Sequence, residues 1–200
     1  MRLNDSYILL PQPIEEEAAR LLVDNSLKIV EAKDPRPETV APLMKNAKAI
    51  ILRTGIFITR ELIDLPDDLW TISRTGGGVD NIDLKAATER GIVVTSSLGV
   101  NTTSVVEHSL TLILALSKQL FLMDREVRRD NFRIRYSNAP RDLRGKSLGI
   151  IGFGRIGSTL ARNCKNIFDM KIIAHDNYLN KDLKRDLSSW VQFTTLEQLF

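Results

Sequence analysis

Three glycines in the segment Gly152-Phe153-Gly154-Arg155-Ile156-Gly157 carry the spacing G-x-G-x-x-G. Glycines cluster in many turns, so the pattern gains weight only from its surroundings. Here the apolar run LGII precedes it, a helical pattern follows, and a strand-like run then ends at Asp176, 19 residues beyond Gly157. A strand, a glycine turn, a helix and an acid about 20 residues further on form the fingerprint of a dinucleotide site. Physical chemistry gives each residue a task. Gly152 permits the tight turn from strand to helix, Gly154 removes a side chain that would block a pyrophosphate, and Gly157 lets the helix approach the strand. The helix N-terminus offers unpaired N–H groups and a partial positive charge to the phosphates. Arg155 and Ile156 supply backbone N–H groups, and the Arg155 side chain either reaches a phosphate oxygen or points to solvent. Asp176 is placed to accept ribose hydroxyls, and its charge would repel a 2′-phosphate, which favours NAD over NADP. The alternative is that Asp176 only caps the next turn. His175 could flank an adenine, although a lone His at a strand end is more often structural.

The elements that must hold this loop follow from the hydrophobic pattern. YILL (7–10), LKIVEA (27–32), AIILRT (49–54), WTISRT (70–75) and IVVTSS (92–97) read as strands, with helix-sized segments between them. Thr59 and Asp83 stand at N-cap positions, and Gly91 suits a left-handed helix stop. Continuous apolar strands joined by helices imply a parallel sheet covered on both faces. The expected class is therefore α/β: a flavodoxin-like parallel-sheet domain over residues 1–99, then the first part of a Rossmann domain over 100–200. One long apolar helix is expected from about Ser104 to Asp130, opened by a Ser104/Glu107 capping box. Its wide apolar face requires a cover, either both domains or a second subunit. A polar, turn-rich passage follows, and TLEQLF reads as the first turn of another helix.

Composition excludes several classes. A net charge of +3, with 26% charged residues of both signs, gives no single-signed surface. The basic cluster Arg125–Arg135 reads as a solvated helix end rather than a nucleic-acid groove. One cysteine, Cys164, and two histidines exclude an internal disulfide and disfavour a protein-built zinc site, which fits a reducing cytoplasm. The most lipid-like stretch, SLTLILALS, falls far short of the roughly 20 apolar residues of a membrane span.

Longer segments point further. AIILRTGIFITRELI, ISRTGGGVDNIDLKAATERGIVVTSSLGVNTTSVVEHSLTLILAL and LRGKSLGIIGFGRIG resemble, in this order, the NAD-dependent D-2-hydroxyacid dehydrogenases. The resemblance runs from about residue 49 to 200, and more loosely from residue 1. It implies a substrate domain with an inserted NAD-binding domain, acting on a small 2-hydroxy or 2-oxo acid. It also implies site positions. Arg53 and Thr54 match a substrate-facing loop. Gly76, Gly77, Gly78 and Val79 match a loop whose N–H groups hold the substrate carboxylate, a role that an anion-binding nest can perform. Without the motif, three glycines would read as a flexible turn. Asn101 matches a hinge position that touches substrate. Arg74 resembles a phosphate-neutralising position of phosphoglycerate dehydrogenases, or else forms a surface ion pair.

The chain departs from the family pattern at Asn131-Phe132, at Ser97-Leu98, and at Asp169, which replaces a glycine stop and implies a local backbone adjustment. The family's catalytic Arg, Glu and His come from segments beyond residue 200. The 200 residues are thus expected to be a truncated chain, inactive alone, with a homodimer forming through the 104–130 helix region. His108 is expected to be a core or interface residue rather than a substitute catalyst. The alternatives are a non-catalytic NAD(H)-binding or corepressor-like protein, or an inactive remnant.

Overall fold

The computed structural model describes residues 6–200, which divide after Val100 into two compact units. In the first, β1 (Tyr7–Leu10), α1 (Glu16–Asp24), β2 (Ile29–Glu31), α2 (Pro37–Met44), β3 (Ala47–Leu52), α3 (Arg60–Ile63), β4 (Thr71–Arg74), α4 (Leu84–Glu89) and β5 (Val93–Ser96) alternate along the chain. All strand pairs are parallel, in the order β2-β1-β3-β4-β5. This is the flavodoxin order expected from the sequence. Register aligns Leu9 with Ile50 and Ile50 with Ile72, and all three are 0% exposed. Burial of each such side chain stabilises the fold by about 1.5–3 kcal/mol. Asp83 caps α4 by accepting the Ala86 N–H at 2.9 Å, and Gly91 follows with φ +68°. At Thr59 the expected side-chain cap is absent, and α3 begins without one.

In the second unit, α5 (Thr102–Ser117), α6 (Leu120–Val127) and α7 (Ile134–Ser137) precede a β/α repeat. The repeat comprises β6 (Ser147–Ile151), α8 (Arg155–Phe168), β7 (Lys171–His175), α9 (Lys181–Leu187), β8 (Val191–Phe193) and α10 (Leu196–Leu199). Its sheet is parallel, in the order β6-β7-β8. Ile150, Phe153, Ala161, Cys164, Ile172 and Ala174 form its core, and Leu110 and Ile113 of α5 pack against it.

Two expectations need correction here. The single helix from Ser104 to Asp130 is two helices bent by 57°, because Gln119 adopts a left-handed conformation (φ 52°) between them. The break is held by its neighbours: the Asn138 amide donates to the Gln119 side chain, and the Arg141 N–H donates to the Ser117 carbonyl at 2.8 Å. The helix also begins at Thr102 rather than at a Ser104 cap, so the Ser104/Glu107 capping box does not form. For His108, expected in the core or at an interface, the exposed position on α5 removes the first alternative only.

The apolar face of α5 is partly covered from within its own unit, yet Leu112, Leu116, Leu120 and Phe121 of α5 and α6 are 47%, 78%, 53% and 78% exposed. Asp169 keeps the left-handed stop that a glycine would provide (φ 52°), and its N–H bonds the Lys165 carbonyl at 2.9 Å. Aspartate tolerates that region better than most residues, so the adjustment is confined to one residue. Among the described residues no single helix is long and apolar enough to cross a membrane.

Candidate functional site

In an open parallel sheet, ligands bind outside the carboxyl ends of the strands, where the strand order reverses. In the first unit that point lies between β1 and β3. β3 stops at Leu52, so Arg53, Thr54 and Gly55 form the loop at that edge; β4 stops at Arg74 and delivers Gly76–Val79 to the same edge. The loop after β3 is fastened to the end of β1. Gln12 Oε1 accepts the Gly55 N–H at 2.7 Å, and Arg53 donates to the Pro13 carbonyl at 2.9 Å with the Glu15 carboxylate 3.8 Å away. A Cβ on Gly55 would sit 2.5 Å from the Gln12 side chain. Thr54 is exposed.

The N–H groups of Gly76, Gly77, Gly78 and Val79 donate to no acceptor among the described residues. Ser97 supports the loop from β5, its N–H shared between the Arg74 carbonyl at 3.2 Å and the Gly76 carbonyl at 3.1 Å. Arg74 makes no ion pair among the described residues; its Nε donates instead to Asn81 Oδ1 at 2.9 Å. Successive unpaired N–H groups beside an unpaired cation favour an anion. Gln12 and Asn81, which organise this edge, were not singled out by sequence reasoning. The only local signal for Asn81 is a polar amide between the apolar Val79 and Ile82.

The second unit builds its loop differently. Gly152 turns the chain off β6 with φ +88°, and its N–H reaches the His175 carbonyl at 2.8 Å. A Cβ on Gly157 would lie 2.1 Å from the Gly152 carbonyl oxygen and 3.2 Å from an Ile150 methyl, so α8 crosses there at backbone contact. Above Gly154 the space is open, with no atom within 4 Å of where its Cβ would stand. No side chain caps α8. The N–H groups of Arg155, Ile156 and Gly157 thus have no acceptor among the described residues, at the positive end of a 14-residue helix. Phe153, between the first two glycines, anchors the loop: it is 3% exposed, with its ring edge-on to Phe193 at 5.4 Å.

Asp176 ties the loop to the end of β7. One carboxylate oxygen accepts the Phe153 N–H at 2.6 Å, and the other accepts the Tyr178 and Leu179 N–H groups at 2.7 Å. Asp176 thus caps the following turn and braces the glycine loop together. The Phe153 N–H above all, with those of Leu179 and Tyr178 and the nearby Lys184 ammonium, holds its carboxyl below the usual range. The oxygen that accepts from Phe153 keeps lone-pair capacity for a further donor, whereas the other is filled by the Tyr178 and Leu179 N–H groups. His175 Nδ1 lies 3.0 Å from the Thr194 carbonyl, which can only accept, so Nδ1 carries the proton. The open space over Gly154, the uncapped helix and the carboxylate at the strand end fit a dinucleotide.

The first unit thus gathers Arg53, Thr54, Arg74 and Gly76–Val79 at one sheet edge, and the second gathers Gly152, Gly154, Arg155, Ile156, Gly157, His175 and Asp176. Asn101 opens the second unit as the exposed residue before α5. A flavodoxin-order sheet followed by a strand–glycine loop–helix–strand unit defines a two-unit α/β protein of the nucleotide-binding kind.

Its family is more specific. Residues 8–198 match the catalytic domain of the D-isomer specific 2-hydroxyacid dehydrogenases, and the chain belongs to that family. It is 36% identical to D-3-phosphoglycerate dehydrogenase of Archaeoglobus fulgidus over 94% of its own length and 36% of that protein's. Against the enzyme of the same name from Methanocaldococcus jannaschii the identity is 33%, covering 90% of this chain and 34% of the relative. The chain therefore spans about a third of the length of these curated relatives. Among solved structures it is similar to D-lactate dehydrogenase of Aquifex aeolicus, a complex with NAD and lactic acid. There the TM-score is 0.81 and the identity 28%, over 96% of this chain and 57% of that one. A glyoxylate reductase from Paecilomyes thermophila matches with TM-score 0.78 and 26% identity, over 98% of this chain and 62% of that one.

Proposed function

We propose that these residues form the acid-binding and nucleotide-binding parts of an NAD-dependent oxidoreductase that interconverts a D-2-hydroxy acid and its 2-oxo acid. The observation that carries this reading is the second unit's loop: uncapped α8 N–H groups, open space over Gly154, and Asp176 bonded to Phe153 at the end of β7. When bound, NAD supplies the hydride acceptor. The chain's own residues bind and orient. Gly152, Gly154, Arg155, Ile156 and Gly157 receive the pyrophosphate, Asp176 receives the ribose hydroxyls, and His175 borders the adenine side. In residues 1–99, the N–H groups of Gly76–Val79 receive the substrate carboxylate, with Arg53 and Thr54 around it, and Asn101 is assigned to substrate from its place in the family pattern. Similarity to two D-3-phosphoglycerate dehydrogenases supports 3-phosphoglycerate as the acid, with Arg74 facing its phosphate.

None of the 200 residues is assigned the proton transfer at the carbonyl, and His108 stands exposed on α5. By themselves, the 200 residues bind without turnover. The exposed Leu112, Leu116, Leu120 and Phe121 support a second copy as partner, and the single buried Cys164 agrees with a cytoplasmic setting.

Titration of NADH and NADPH, followed by nicotinamide fluorescence, tests the cofactor reading. The chain should prefer NADH, and Asp176→Ala should narrow the preference. Equal binding of both cofactors by the unaltered chain would sink the assignment. Absorbance at 340 nm with several 2-oxo acids should show no turnover, and robust turnover would refute the binding-only reading. Light scattering should give a dimer mass that Leu116→Glu reduces to a monomer.

A further inference from the structure

Arg74 is half-buried at the end of β4 and has no carboxylate partner among the described residues. A cation so placed adopts a geometry set by whatever hydrogen bonds hold it. One side chain does so. Asn81 Oδ1 accepts from Arg74 Nε at 2.9 Å, while Asn81 Nδ2 donates to the carbonyls of Arg53 at 2.9 Å and Ile56 at 3.0 Å. The amide cannot be reversed, because its oxygen would then face two carbonyl oxygens and its NH2 a guanidinium N–H. Asn81 thereby couples the loop after β3 to the end of β4.

The guanidinium is steered over Gly76, where a Cβ would stand 2.3 Å from Nη1. With Nε occupied, Arg74 presents its terminal Nη groups beside the unpaired N–H groups of Gly76–Val79. Two anion-seeking features then adjoin each other: a run of backbone N–H groups without protein acceptors and a cation whose orientation is fixed. Such an arrangement selects a ligand with two separated negative groups over one with a single carboxylate.

We propose that Asn81 is a positioning residue that sets the preference for a phosphate-bearing acid, by holding the Arg74 guanidinium over Gly76. The proposal rests on the acid-binding reading given above. Gly76 takes part because its missing Cβ leaves the space that the guanidinium fills. Charge alone is insufficient: Arg74→Lys retains the cation but lacks the Nε–H that Asn81 fixes.

The test uses the 200-residue chain labelled with 15N. The Arg74 Nε–Hε signal, assigned by its loss in Arg74→Lys, should lie outside the free-arginine cluster and exchange slowly. In Asn81→Ala it should return to that cluster. D-glycerate and 3-phospho-D-glycerate are then titrated in parallel, since damage to the N–H run weakens both but misplacement of Arg74 weakens only the second. The preference for the phosphorylated acid should fall about tenfold in Asn81→Ala, to the level of Arg74→Lys. Gly76→Ala, which keeps Asn81 and moves only a flexible side-chain end, should lower the same ratio and guards against misfolding of the first variant. A folded Asn81→Ala with an unchanged Nε–Hε signal overturns the proposal. So does a released signal with an unchanged ratio. Equal binding of both acids by the unaltered chain instead sinks the phosphate reading itself, a failure visible before any variant is made.

Discussion

The two glycine loops look alike in sequence, and both leave backbone N–H groups without protein acceptors, but they are built in different ways. In the second unit's loop backbone sets the need for glycine, with a left-handed turn at Gly152, a contact at Gly157 with no room for a methyl and the start of α8. The Phe153 ring and the Asp176 carboxylate brace it. In the first unit's loop Gly76 meets a side chain, although the Ser97 N–H also supports the loop from β5. Asn81 holds the Arg74 guanidinium over Gly76, and Asn81 and Gln12 hold the adjoining loop after β3. Glycine is obligatory where its neighbour is backbone, since a carbonyl in a strand-to-helix turn cannot move aside. It is replaceable in fold, though not in function, where its neighbour is the end of a flexible side chain.

A series of alanine variants can break that contrast. Gly157→Ala should do the greatest harm. Its methyl meets a carbonyl oxygen at 2.1 Å, so overpacking should cost about 1–3 kcal/mol in urea unfolding, and NADH binding should be lost with the loop geometry. Gly152→Ala has room for the methyl but must hold φ near +88°, which costs about 1–2 kcal/mol. A Gly157→Ala protein as stable as the parent would remove the claimed backbone contact.

Asp176 sharpens the contrast by pH. Because the Phe153 N–H and its neighbours depress the folded pKa, the carboxylate's contribution is complete above the unfolded value of about 3.9. It disappears as pH falls through the folded value. The melting-temperature difference between the parent chain and Asp176→Asn should therefore stay constant at neutral pH and close below about pH 4. A difference that instead closes as pH rises would contradict the assigned sign. Smallest is the expected stability change in Gly76→Ala, within about 0.5 kcal/mol, because only the Arg74 tip has to move. A loss equal to that of Gly157→Ala would make the two loops alike after all.

The same division explains what could be read in advance. Alternating apolar runs and helical segments made the parallel sheets legible, and Asp83 and Gly91 marked the ends of α4 as expected. The break at Gln119 was not legible, because glutamine carries no turn signal and the residues that hold it, Asn138 and Arg141, come from a later loop. Between core and interface for His108 the sequence could not choose, for a related reason. A helix as apolar as α5 does not reveal which of its faces its own unit covers. Asp176 was read as a ribose acceptor or as a turn cap; the structure has it capping the turn and, beyond that reading, accepting the Phe153 N–H of the glycine loop.

By itself, the sequence determined the α/β class, the place of the glycine loop between a strand and a helix, and the acid at the next strand's end. These depend on constraints acting over a few residues, namely permitted backbone angles, hydrophobic period and capping. Only the tertiary structure decided that Asn81 aims Arg74, that Gln12 clasps Gly55 from 43 positions away, and that Phe153 roots the second unit's glycine loop in the core. Those contacts join residues that meet only after the sheets have formed, and hydrogen-bonding chemistry alone does not say which amide will meet which carbonyl.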